Sequence, residues 1–282
     1  MKKFRRLLPV VLIISIFSVV MLASCGTKIK EGFDYDLANA VGEKIGIKFV
    51  PELIEWKNKE ILLASKKIDA IWNGFTITEA RKENILFSQP YMQNQQVIVV
   101  RTEDKDKYST IESIKKLNKE KVAVEAGSAG EDVLKTILGE NNYTKAQGQI
   151  DAINFLRTKN FDLIIIDKVM ANYYRDAGNT TVAIEVITEI EGLDLLGEEY
   201  GIGYRKNDVY TKYMIDKALY ELQEEGKLLE IAKKYKLENV ITKIEKPVEP
   251  TEGKEQWEAL KKKGKIKYGC TVFMPMAGLG SK

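Results

Sequence analysis

Histidine is absent from this chain of 282 residues, and cysteine occurs only twice, as Cys25 and Cys270. The first absence excludes a Ser-His-Asp or Cys-His catalytic set, the common histidine-containing zinc sites and an imidazole pH sensor. The second leaves too few thiols for a disulfide framework or an all-cysteine zinc site, so neither a metal nor a cofactor is expected. A basic surface is missing too. The formal charge of +3 includes Lys2, Lys3, Arg5 and Arg6, which no nearby acid offsets, and without those four the balance turns slightly negative. Composition therefore offers no case for a nucleic-acid partner. What is present is an ordinary soluble balance, 44% hydrophobic and 30% charged, in a length that suits one large domain or two lobes.

The N-terminus reads as an address. Four basic residues precede an apolar run over 7–22, broken only by Pro9, Ser15 and Ser18 and ending in Leu22-Ala23-Ser24-Cys25. A positive segment, an apolar segment and small residues before a cut site define a secretory signal, so residues 1–24 are expected to be removed. The four residues ending at Cys25 resemble the bacterial lipobox. That resemblance implies acylation of Cys25 and a domain tethered to the membrane on its extracytoplasmic side. Each buried methylene of an acyl chain contributes ~0.8 kcal/mol, so several chains make an anchor. The competing reading is an uncleaved transmembrane helix with an incidental cysteine.

From Gly32 onward, helical and strand signals alternate. Apolar residues at Phe33, Leu37, Ala40, Val41 and Ile45 predict a helix over 33–45. A strand over 46–50 ended by Pro51, a helix over 57–67 and a buried strand over 68–72 follow. Further strands are expected at 95–100, 121–125, 161–166, 182–186 and 200–204, and helices at 109–117, 130–138, 150–158, 168–176 and 210–235. This βα order predicts an α/β class with mainly parallel sheets. Two similar blocks, about 32–99 and 121–186, with apolar stretches at 97–100 and 201–204, predict two lobes joined by two crossings, with a ligand cleft at the crossings. Lobe 1 would take 25–99 and 200–245 and lobe 2 would take 100–199. A linker rich in Pro, Glu and Lys follows at 246–256.

The segment of greatest chemical interest runs from Asn73-Gly74-Phe75-Thr76-Ile77-Thr78-Glu79-Ala80-Arg81 to Phe87-Ser88-Gln89-Pro90-Tyr91. A strand that emerges into glycine brings bare backbone close to a ligand, and Thr76 adds a hydroxyl. Thr78 suits a helix N-cap, which sets Arg81 in the first turn. A guanidinium there can grip a carboxylate through two parallel hydrogen bonds. Glu125-Ala126-Gly127-Ser128-Ala129-Gly130 joins a strand to a helix start, where amides and dipole favour an anion. The Lys-Ser/Thr ending of a phosphate loop is missing there. Residues 161–167 form an apolar strand closing on Asp167.

Together these segments resemble the signature of extracellular solute-binding proteins of polar amino-acid ABC transporters, across nearly all of the chain beyond the leader. The resemblance implies a two-lobed fold of the periplasmic-binding-protein type 2, with helix-flanked sheets and a two-strand hinge. It implies that Arg81 holds the ligand α-carboxylate, helped by the amides of Ser128 and Ala129. Gly74, through its backbone, and Thr76 would hold the α-ammonium group, Asp167 would pair with it, and Trp56 would stack on the ligand. The plainer alternatives are a solvated Arg81, an ordinary turn at Gly127-Ser128, an N-capping Asp167 and a Trp56 that is only core.

One departure stands out. The family pattern opens with a strand before Gly32-Phe33-Asp34-Tyr35-Asp36-Leu37-Ala38, and here no strand lies between that segment and Cys25. Residues 264–276, beyond the linker and a helix-like 257–263, resemble the missing opening. The chain is therefore expected to be circularly permuted, with its first strand supplied by 257–282, against the alternative of a truncated tandem copy. Thr271 and Phe273 then belong in the pocket, and Cys270 is a buried strand-end residue without catalytic character. The opening loop carries no acid, which disfavours a Lys- or Arg-type ligand unless Glu55 compensates.

The implied function is a membrane-anchored receptor that delivers an amino acid to an ABC permease, with no catalytic residues. An enzyme of the dehydratase kind on the same fold, which without histidine could use only Asp or Glu, and a sensor module are the alternatives.

Overall fold

The spacing that predicts the first helix produces it: Phe33–Ile45 buries Phe33, Leu37 and Val41 on one side. The structure, a computed structural model, describes residues 28–177 and 182–280, so the leader and Cys25 lie outside the described residues. Among these, ten strands form: β1 (Lys48–Leu53), β2 (Ala70–Thr76), β3 (Ile85–Phe87), β4 (Met92–Arg101), β5 (Val122–Glu125), β6 (Thr144–Ala146), β7 (Leu163–Asp167), β8 (Ile184–Ile187), β9 (Gly197–Arg205) and β10 (Lys265–Cys270). They hydrogen-bond in the order β1-β10-β2-β9-β4-β7-β5-β6, with β3 on β9 and β8 on β4.

Parallel pairing holds for β1 with β10, β10 with β2, β5 with β6, and β5 with β7. Every antiparallel pair contains β4 or β9. These two long strands are the crossings. β4 pairs with β9 over 92–95 and with β7 over 96–99, so the two lobes share it end to end. Helices Phe33–Ile45, Val209–Glu224 and Lys227–Lys234 pack together on the first lobe, and Ala129–Leu138, Gln149–Arg157 and Lys168–Asp176 cover the second.

The C-terminal strand lies inside the first lobe. β10 runs parallel between β1 and β2, pairing Lys265 through Cys270 with Lys48 through Leu53. Its neighbours are tied further by the Asp69 carboxylate, which accepts from the Lys267 amide at 2.9 Å and from Lys263 Nζ at 2.7 Å. The loop beyond β10 finishes the first helix. Gly32, at the N-cap, has no side chain to offer, and the Phe33 and Asp34 amides donate instead to Pro275 O and Met276 O at 2.8 and 2.9 Å. The orphan donors of a helix start are thereby satisfied by chain more than 240 residues away in sequence. Cys270 is buried at the end of the strand, and burial pushes its thiol pKa up to about 12.

Several boundaries differ from expectation for physical reasons. β1 continues through Pro51 instead of ending there, because β1 is an edge strand with β10 on one side only, and its outer side needs no donor. The helix expected over 210–235 breaks at Gly226, whose φ of +74° favours glycine, giving Val209–Glu224 and Lys227–Lys234. The helix expected over 57–67 begins as a 3-10 turn, Trp56–Asn58, and continues only through Lys59–Ala64.

Candidate functional site

The ends of β2, β5, β7 and β10 converge with three helix starts on one enclosed cavity of about 10 Å³, room for roughly a single water. Its lining brings together all nine residues singled out from sequence: Trp56, Gly74, Thr76, Arg81, Ser128, Ala129, Asp167, Thr271 and Phe273. Asn73, Glu125 and Gln149 complete it.

On the first lobe, Thr78 Oγ1 accepts from the Arg81 amide at 3.2 Å, the N-cap that the sequence predicts. The Arg81 guanidinium lies over the Phe75 ring at 4.9 Å, donates to Thr76 O at 2.8 Å and reaches across to Gly127 O at 3.4 Å. Arg81 is thus not a solvated surface charge. Burial lowers its pKa, opposed by Asp132, Glu60, Glu198 and Asp167, and a guanidinium keeps its charge at neutral pH regardless. Lys59 Nζ makes a second bridge to Gly127 O at 2.8 Å, so the two jaws meet in a closed arrangement.

Gly74 has φ +56° and donates its amide to Asp34 Oδ2 at 2.9 Å. With the N–H occupied, its carbonyl is the group that can accept from an ammonium. Asp34 is fully buried in the first turn of the Phe33–Ile45 helix, and burial pushes its carboxyl pKa up to about 7. A side chain at Gly74 would put Cβ 2.6 Å from Phe273 Cε1 and 3.1 Å from Tyr200 Cε2. Gly74→Ala therefore combines left-handed strain with overpacking, and should cost about 2–4 kcal/mol in urea denaturation and weaken ligand binding by displacing Phe273.

Asn73 Oδ1 accepts from both the amide and the hydroxyl of Thr271, at 2.7 and 3.0 Å, which locks the C-terminal loop onto β2. Phe273 and Ala277 exchange two backbone hydrogen bonds at 2.8 Å, so the loop presents the Phe273 ring rigidly. Trp56 belongs both to the core and to the cavity wall. It packs edge-on against Phe75 in a core cluster, at 5.7 Å between centroids, and lines the cavity. Glu55, in contrast, is exposed and pairs with Lys57 Nζ at 3.1 Å, so it contributes no charge to the cavity.

On the second lobe, Ser128 caps the helix Ala129–Leu138, its Oγ accepting from the Glu131 amide at 3.2 Å. Its own amide closes a turn onto Glu125 O at 3.2 Å. Of the two amides expected to face an anion, that of Ala129 is therefore the one without a turn partner. Asp167 sits at the start of Lys168–Asp176, but its side chain makes no cap bond. Instead Oδ1 accepts from Asn94 Nδ2, Gln96 Nε2 and the Tyr200 hydroxyl at 2.6, 2.9 and 2.6 Å, and Oδ2 from Gln149 Nε2 at 2.5 Å. Burial raises the Asp167 pKa while these donors pull it down. Glu198 accepts from the same Asn94 and Gln96 amides at 2.5 and 2.7 Å and from Thr76 Oγ1 at 3.1 Å. Burial and the Asp167 charge push it up to about 7.

Asn94, Gln96, Tyr200, Glu125, Gln149 and Glu198 were not assigned roles from sequence. A signal existed for two of them. The run Gln93-Asn94-Gln95-Gln96 is rich in amides inside an otherwise apolar strand, and the two-residue period puts Asn94 and Gln96 on one face. A larger groove of about 610 Å³ beside the hinge, between Lys168–Asp176 and residues 234–240, shares Asn94 with this network but holds none of the nine residues singled out from sequence.

Residues 26–238 match the model of the bacterial extracellular solute-binding proteins, family 3. The chain belongs to that family. Among relatives of this solute-binding family, a probable histidine-binding protein of Neisseria gonorrhoeae is 31% identical over 73% of this chain and 74% of its own length. The arginine-binding extracellular protein of Bacillus subtilis is 29% identical over 72% and 77%. The crystal structure of an ABC uptake transporter substrate-binding protein from Streptococcus pneumoniae with bound histidine superposes with a TM-score of 0.65, at 34% identity, covering 75% of this chain and 85% of that one. Membership of this family fixes the two-lobed type 2 architecture and an extracytoplasmic solute receptor.

Proposed function

We propose that this solute-binding protein captures one free amino acid between its lobes and hands it to the permease of an ABC transporter. The observation that carries the reading is a guanidinium on one jaw, Arg81, and a carboxylate on the other, Asp167, both facing one enclosed cavity. An amino acid is the small solute that carries the complementary pair of charges on a single carbon. Its carboxylate meets Arg81 and the Ala129 amide at the helix start; its ammonium meets Asp167, the Gly74 carbonyl and Thr76. Trp56 and Phe273 cover the apolar part. Relatives named for histidine and arginine binding support this ligand class. The cavity of about 10 Å³ is too small for an amino acid, so the jaws part to admit it. Because each jaw holds one end, binding then stabilises a closed, liganded shape relative to the open one, and that shape is what a permease can read.

The protein acts as a binder, not an enzyme, and is tethered through an acylated Cys25. Its chain order is a circular permutation. In support, β10 lies between β1 and β2, and the family match ends at residue 238, before that strand begins. Isothermal titration of the purified protein against the twenty amino acids tests the central reading. At least one should bind with a dissociation constant below about 1 mM, −4 kcal/mol; none doing so overturns it.

A further inference from the structure

Glu125 ends β5 with its side chain buried against the cavity, and its Oε1 has no hydrogen-bond partner among the described residues. The other oxygen accepts only a long bond, 3.4 Å, from Gln149 Nε2, an amide held much closer by Asp167 Oδ2 at 2.5 Å. A buried carboxylate oxygen left unpaired is costly, and one that faces a ligand cavity is ready to accept from the ligand. The receptor reading above, on which this inference rests, already gives the α-carboxylate and α-ammonium their partners. Glu125 is left for a third group.

The charges agree. Two carboxylates, Glu125 and Asp167, and one guanidinium line the cavity. Lys59 and Glu198 stand just behind and add one charge of each sign, so one negative charge would be in excess if every group were ionised. Lys59 does not supply the missing donor: its ammonium bonds Gly127 O at 2.8 Å and lies 5.1 Å from the Trp56 ring centre. A zwitterion with a neutral side chain leaves that charge to be met by a proton, and one with a cationic side chain cancels it directly. We propose that Glu125 is the specificity-determining acceptor of this pocket, taking an N–H of a basic ligand side chain and favouring a cationic amino acid over its neutral isostere. The acid absent from the opening loop is thus supplied by the opposite lobe.

A proton marks the same choice. The groups facing Glu125 are Asp167 on β7, Gln149 and Asp151 on the Gln149–Arg157 helix, Lys59 on the Lys59–Ala64 helix and, across the cavity, Arg81. Burial first and then Asp167 push its carboxyl up to about 8; the Gln149 bond and Lys59 oppose that, and Asp151 reinforces it. In a cleft closed on a neutral ligand Glu125 keeps its proton at pH 7, and facing a cationic side chain it gives it up.

L-arginine and its neutral near-isostere L-citrulline are the probes, titrated into the purified protein in buffers of different ionisation enthalpy. Wild type should prefer L-arginine by at least tenfold, and its L-arginine complex should carry one proton fewer at pH 7 than its L-citrulline complex. Glu125→Gln should weaken L-arginine binding far more than L-citrulline binding, reducing the preference below about threefold. Equal affinities in wild type, equal proton counts, or equal losses for both ligands in Glu125→Gln overturn the proposal. The proton count uses wild type alone, so it stands even if the variant folds poorly. A wild-type protein that binds no amino acid at all instead defeats the receptor reading itself.

Discussion

Arg81→Ala is expected to raise the dissociation constant of the captured amino acid by at least ~100-fold, with little change in the urea midpoint. The reason lies in what the guanidinium does for the protein and for the ligand. Within the protein it bonds two backbone carbonyls, Thr76 O and Gly127 O; each such bond is worth a net ~1 kcal/mol, and the one across the cleft is made only when the jaws close. In the proposed complex it is the cation opposite a desolvated carboxylate, and truncating one partner of such a pair costs roughly 2–5 kcal/mol. Arg81→Lys keeps the charge but loses the planar fork, so its affinity should fall between those of wild type and the alanine variant. Isothermal titration reads all three. Undiminished affinity in Arg81→Ala would remove the clamp on which the proposed function stands.

The second large effect concerns β10. A chain ending at residue 256 is expected to show no cooperative unfolding transition by circular dichroism. It would lose the buried side chains Ile266, Tyr268, Cys270, Phe273, Met276 and Ala277. At ~1.5–3 kcal/mol for each large apolar side chain, the loss is on the order of 10 kcal/mol, comparable with the whole stability of a domain. It would also open facing edges on β1 and β2 and strip the Phe33 and Asp34 amides of their acceptors. Adding a synthetic peptide of residues 257–282 should restore the transition, because the missing strand pairs by backbone register and not by chain continuity. A truncated chain that melts cooperatively within a few degrees of the full one would show that the strand is dispensable.

The α/β class was legible because the apolar period changes sharply along the chain, from Phe33-Leu37-Val41 to Ile68-Ala70-Trp72. The residues that line the cavity were legible for a different reason. Gly74 and Thr76 end β2 and Arg81 lies in the helical turn after it, and Ser128, Ala129 and Asp167 sit where strands run into helices, the positions at which this architecture exposes backbone and side chains to a ligand. Boundaries were less legible. Nothing local tells that Pro51 lies on a sheet edge, where its missing N–H costs nothing, and Gly226 inside a helical pattern reads equally as a tolerated glycine or a break.

Glu125, Glu198, Asn94, Gln96 and Gln149 belong to a different category. Each would pass in sequence as a polar residue at the end of an element or on a strand, and only the folding of β4, β5, β7, β9 and the Gln149–Arg157 helix against one another brings them within the same few ångströms. Local pattern, a matter of neighbours three or four residues apart, determined the elements and their faces, and the family resemblance pointed to Arg81 and Asp167 as the charged groups of the cleft. Which carboxylates share donors, which oxygen stays unpaired, and where the last strand inserts were decided by tertiary contacts alone, because desolvation and hydrogen-bond satisfaction depend on what packs nearby in space.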